Sequence, residues 1–119
     1  MTFDVEVILK ETDRVITRRV EHRGNTPADW TEADVGAVLR AILLTIDVVR
    51  HPEGPPVEER PVFLRGFSWI VEPYEGQVLI MVEIPTGAAV AGPFAIAQER
   101  LDQLITRALQ EPGASTRVH

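Results

Sequence analysis

Apolar and polar residues alternate from the start of the chain. Phe3, Val5, Val7 and Leu9 fall on one side of residues 2 to 10, with Asp4, Glu6 and Lys10 on the other; Ile8 is the exception. A period of two marks a half-buried strand. Residues 14 to 23, RVITRRVEHR, follow a short turn at 11 to 13 and read as a second, more polar strand. Its four arginines suit a sheet edge, where charge discourages pairing with another chain.

The period then lengthens. Val35, Val38, Leu39, Ile42, Ile46 and Val49 recur at three- and four-residue steps, which predicts a helix over about residues 32 to 50. Thr31 with Asp34 makes a capping-box-like pair at its start, and Trp30 before the cap is placed to pack on Val35. Thr26 with Pro27 offers an earlier start. Ala37, Ala41, Leu44 and Val48 add a second apolar flank, so this helix is expected to be covered on more than one side.

Residues 51 to 61, HPEGPPVEERP, hold four prolines and read as an extended connector. VFLRGFSWIVE and QVLIMVEI then predict a hairpin turning at 73 to 76. The second of these strands is apolar on both faces, as a central strand is. A last helix is expected from about Pro93 to Gln110, burying Ala97, Leu101, Leu104, Ile105 and Ala108. The order is ββαββα. It predicts an α+β two-layer sandwich, with a four-stranded, mainly antiparallel sheet carrying both helices on one face. Residues 1 to 110 read as a single domain and 111 to 119 as a loose tail. Several small dimeric domains, secretion chaperones and longin-like scaffolds among them, share parts of this order; element order alone does not imply function.

EIPTGAAVAGPF, residues 83 to 94, has the glycine spacing and the strand-to-helix setting of a phosphate loop. The chemistry of that loop rests on a lysine and a hydroxyl after the second glycine. Here Gly92 is followed by Pro93 and Phe94. The stretch therefore reads as a flexible turn, with Gly92 capping the last helix and Pro93 in its first position.

Composition narrows the function. The chain has 119 residues, 45% of them hydrophobic, enough for one cored domain. It lacks cysteine, which excludes disulfides, thiolate metal sites and a thiol nucleophile. The net charge of −6 argues against nucleic acid as a partner. The N-terminus has no signal-peptide pattern, and no apolar run is long enough to span a membrane, so a cytoplasmic location without membrane attachment is expected. His22, His51 and His119 have no metal-ligand spacing and are expected to be solvated; no metal or other cofactor is indicated. Glu6, Glu72 and Glu83 lie on strands, and acid–base work would need two of them brought together in a buried pocket. No catalytic residue is assigned.

Helices on one side cover one sheet face. On the third strand Phe63, Arg65, Phe67, Trp69 and Val71 share a side; on the fourth Leu79, Met81 and Glu83 oppose Val78, Ile80, Val82 and Ile84. Whichever set faces away is still apolar, and a soluble protein covers such a patch. The leading expectation is a non-enzymatic dimerising interaction or regulatory module, adaptor- or chaperone-like. Its homodimer interface draws on Phe63, Phe67, Trp69, Leu79 and Met81, and another protein partner is the variant of this reading. The alternative is a small-molecule site on the open face or dimer seam, using Arg65, Phe67, Trp69 and Glu83. An acid–base enzyme built on Glu83, Arg65 and His22 ranks last. The missing lysine and hydroxyl yield a direct test: calorimetry with ATP or GTP plus magnesium is expected to show no binding, and micromolar affinity for either would overturn that reading.

Overall fold

A computed structural model describes residues 1–110; the expected tail at 111–119 lies outside the described residues. β1 (Thr2–Leu9) and β2 (Arg14–Glu21) form the first hairpin, followed by α1 (Glu32–Arg50). β3 (Ser68–Tyr74), β4 (Gln77–Ile84) and β5 (Gly87–Phe94) form a meander that leads into α2 (Gln98–Gln110). The sheet is antiparallel throughout, in the order β2-β1-β5-β4-β3. Both helices pack on one face, where α1 also packs against α2.

The α+β class and the two helices agree with the sequence. The strand count does not: there are five strands, in ββαβββα order, rather than four in ββαββα. The fifth is the stretch read as a flexible turn. Residues Gly87–Phe94 pair with β1 on one side and β4 on the other. Alanine and glycine have low strand propensity, so nothing local marks this segment as a strand. Its small side chains suit a position between two strands and beneath a helix: Ala89 and Ala91 are fully buried on the helix side. A Cβ at Gly87 would collide with the carbonyl oxygen of Ile8 on β1.

Gly92 does not cap a helix, and Pro93 is not the first residue of one. Val78 pairs with Phe94 and Ile80 with Ala91, so Gly92 and Pro93 together oppose Leu79 in a β-bulge. Gly92 has φ +120°, a conformation that favours glycine, and the Gly92–Pro93 peptide is cis. The extra residue reverses the alternation, so Phe94 turns toward the helices instead of away. There its ring meets Trp30 at 4.9 Å and Phe3 at 5.2 Å between centroids. α2 then starts at Gln98 rather than Pro93, so Ala97, expected in its buried stripe, lies before the helix and is exposed, while Leu101, Leu104, Ile105 and Ala108 are buried as expected.

α1 begins where its cap predicts. The Thr31 hydroxyl accepts from the Asp34 N–H at 3.2 Å, and the Asp34 carboxylate accepts from the Thr31 N–H at 3.0 Å. Val35, Val38, Leu39, Ile42 and Ile46 are buried against the sheet, as their spacing requires. Of the expected second flank, Ala37 is exposed, while Ala41, Leu44 and Val48 are half-buried beside β2 at an open groove of about 280 Å³. β3 is shorter than expected because residues 62–67 are held elsewhere. Leu64 is buried, and its carbonyl accepts from the Trp69 indole N–H at 3.0 Å. Gly66 then turns the chain with φ +96°.

Two glycines separate close approach from mere flexibility. Gly87→Ala is expected to destabilise the fold by roughly 1–3 kcal/mol or more, because the β1 backbone must move. Gly36→Ala, at an α1 position where the added Cβ meets nothing within 4 Å beyond its chain neighbours and its own helix backbone, is expected to stabilise by about 0.4–1 kcal/mol. Urea denaturation of both variants checks the pair, and equal effects would contradict the placement of β5.

Candidate functional site

The sheet face away from the helices carries an apolar band. Cross-strand partners share a face, so the register sorts the side chains into rows. Ile70, Met81 and Val90 form one row that continues into Glu6 and Thr17. Val15, Ile8 and Ala88 form the next, ending in Glu83 and Ser68. Leu79 stands beside Glu72 in a third row, whose other end is Asp4 and Arg19. No described helix covers this face. Ile8, Ile70 and Tyr74 are 36–45% exposed, and Leu79, Met81 and Val90 are partly so. The aliphatic set is therefore the open one.

Of the residues proposed from sequence for an interface, Leu79 and Met81 lie on this face. Trp69 does not: it pairs with the buried Val82 on the helix side. Phe67 also packs against the core, and Phe63 is exposed but lies before the strand. Of the proposed ligand residues, Arg65 and Phe67 line a common cleft, Trp69 lies outside it, and Glu83 stands on the open face. Glu6, Glu72 and Glu83 are exposed and fall in three different rows, so no two are cross-strand neighbours. That geometry offers no paired carboxylates.

The cleft has a volume of about 330 Å³. It lies between the last turns of α1, residues 61–67 and the end of β4. Its floor is apolar, from Leu43, Ile46, Val62 and Ile84, and Phe63 stands on its rim. Arg50, Arg65 and Asp47 supply the charge. The wall is held by Arg60, whose guanidinium is buried. It donates to the Asp47 carboxylate at 2.9 Å and to the carbonyls of Asp47, His51 and Pro55 at 3.2, 3.0 and 2.8 Å. A cation bound to the last carbonyls of a helix also satisfies its dipole. Sequence reasoning passed over Arg60, which stands among glutamates in a proline-rich stretch with no periodic pattern.

His22 was expected in solvent and is buried. Its Nε2 lies 3.0 Å from Asp34 Oδ1. An ionised carboxylate only accepts, so Nε2 carries the proton. Asp34 further accepts from Asn25 N–H and Nδ2 and from the Thr31 N–H and hydroxyl. Burial by itself pushes the Asp34 carboxyl up, and it is the largest single influence; the hydrogen bonds from Thr31, Asn25 and His22 together outweigh it. The carboxyl is held well below the usual carboxylate range. A Cβ at Gly24 would collide with this pair, so glycine there is a signal of the close approach. The cluster caps α1 and closes the core above Trp30, whose indole N–H donates to the Asn25 carbonyl at 2.9 Å.

Comparison of the chain with protein-family models, with curated proteins and with solved structures finds no match. Among the described residues no cluster of three or more His, Cys, Asp or Glu side chains is placed to hold a metal ion. No described helix is long and apolar enough to cross a membrane.

Asp34 makes stability acid-sensitive. A depressed folded-state pKa adds stability above the unfolded value, near 3.8, and that stability is lost as pH falls below it. Asp34→Asn is expected to flatten the fall in stability between about pH 4 and pH 2 in acid-titration melts, since aspartate ordinarily titrates there. Asp34→Ala leaves the Asn25, Thr31 and His22 donors unpaired and is expected to cost on the order of 2–3 kcal/mol at neutral pH.

Proposed function

We propose that this chain is a non-enzymatic interaction module that acts as a homodimer, with the two copies meeting through the open sheet face. The observation that carries this reading is the aliphatic band of Ile8, Ile70, Leu79, Met81 and Val90, which no described helix covers. Burying such side chains contributes about 1.5–3 kcal/mol for each one fully removed from water. A two-fold pair uses one patch twice.

Charge favours one arrangement of the pair. Arg19 stands at the β2 end of the row that ends in Glu72 on β3. A two-fold axis parallel to the strands sets each β2 across from the partner's β3 and centres on β5. Arg19 of each copy, whose Nε donates to Asp4 of its own chain at 2.8 Å, then also faces the partner's Glu72, and Val90 meets its own counterpart. Opposed charges at a rim fix register more than they add affinity. Glu6, Glu72 and Glu83 stand in separate rows of the open face and are not cross-strand neighbours, which supports a binding role for this face over paired acid–base work.

Light scattering is expected to show a dimer at ~100 µM, well above the dissociation constant of a useful pair. Replacing Ile70 and Met81 together by lysine should raise the dissociation constant at least about tenfold, one decade for each ~1.4 kcal/mol lost. Circular dichroism should be unchanged. Arg19→Glu or Glu72→Arg alone should weaken the dimer, and the two together should restore it. A 13.2 kDa species for the unaltered chain under these conditions refutes the reading.

A further inference from the structure

We propose that the cleft at the C-terminal end of α1 binds a small anionic amphiphile: a single carboxylate on an aromatic or short alkyl body. The cleft opens beside the helices and not on the open sheet face, so this inference does not depend on the dimer. Its volume of about 330 Å³ falls at the lower end of the range for small-molecule pockets.

The body of the ligand is set by the walls. Leu43 and Ile46 of α1, Val62, Phe67 and Ile84 present hydrocarbon, and Phe63 is 48% exposed at the rim. An aromatic ring left half in water beside a concave apolar floor gains contact when a ligand fills the space. The head group is set by charge. The carboxylate on the wall, Asp47, is already bound to Arg60 at 2.9 Å, so that pair is neutral. Arg50 and Arg65 remain, and neither has a carboxylate within ion-pair distance among the described residues. In a chain of net charge −6 the cleft is locally cationic. Guanidinium matches a carboxylate through two parallel hydrogen bonds.

The site is also held ready. Arg65 Nε donates to the Leu109 carbonyl at the end of α2 at 2.6 Å, which orients the guanidinium and leaves its terminal nitrogens to a ligand. Arg60 ties the preceding loop to the end of α1, and the Trp69 indole holds the Leu64 carbonyl at 3.0 Å. Segment 61–67 is thus pinned from both sides, and a wall already in place reduces the ordering cost of binding.

The test is calorimetry with octanoate and 3-phenylpropionate, each against its uncharged amide, with the site mapped by amide chemical shifts. The carboxylates are expected to bind with a dissociation constant below ~1 mM and the amides at least about tenfold more weakly, as loss of a charge-assisted pair requires. Arg50→Gln, an exposed change, should lower carboxylate affinity about tenfold and leave the amides unaffected. Phe63→Ser should weaken both. Shifts should centre on residues 61–67 and the last turns of α1. Binding equal for acid and amide, affinity undiminished in Arg50→Gln, shifts confined to the sheet face, or no binding of either carboxylate at that concentration would each overturn the proposal. The Ile70 and Met81 lysine variant should keep carboxylate affinity, so failure of the cleft and failure of the dimer are read separately.

Discussion

β5 enters the sheet between β1 and β4, with partners on both of its edges. The two outer hairpins do not pair with each other, so without β5 they would be separate ribbons, and an isolated two-stranded hairpin is marginal in water. The close fit at Gly87 against β1 and the bulge at Gly92 belong to the same strand. The first admits the strand to its place. The second turns Phe94 into contact with Trp30 and Phe3, joining the start of α1, the first strand and the last in one aromatic group. A five-stranded sheet with both helices on one side leaves the other side open, and the exposed band follows from that arrangement.

α1 is anchored by buried charge at each end. At its start Asp34 gathers donors from His22, Asn25 and Thr31; past its end Arg60 gathers the carbonyls of Asp47, His51 and Pro55. Removing a buried charge from water is costly unless its hydrogen-bonding capacity is met, and both groups meet that condition. The two anchors differ in consequence. The first closes the core over Trp30. The second holds the connector off the sheet and leaves the cleft between them. The molecule thus keeps its rigid polar networks at the ends of one helix and its exposed apolar surface on the sheet face and in the cleft.

The placement of candidate residues follows from what alternation can and cannot say. It correctly put Leu79 and Met81 on one side of β4 and Val78, Ile80, Val82 and Ile84 on the other. It did not say which side the helices take, because both sets are apolar. Trp69 shares the side of Val82 and faces the helices, while the smaller Ile70 faces out. Arg65 and Phe67 do meet, but in a cleft formed with α1, some twenty residues earlier in the chain and reached only through the turn at Gly66. His22 looked solvated because its neighbours in sequence are charged; its true neighbour is Asp34, brought close across Gly24.

Elements whose signals are local were legible in the sequence: the span and cap of α1, the alternation of β1, the arginine-rich edge of β2 and the apolar stripe of α2 from Leu101 to Ala108. Each depends on backbone geometry and side chains a few positions apart, where period and capping chemistry suffice. That GAAVAGPF is a strand, which face of the sheet is open, and that Arg60 and His22 are buried all depend on long-range packing. Small residues carry little intrinsic preference, and their conformation comes from the strands that flank them. Burial of a charged group is possible only where distant chain supplies its partners, and no local pattern of residues records that supply.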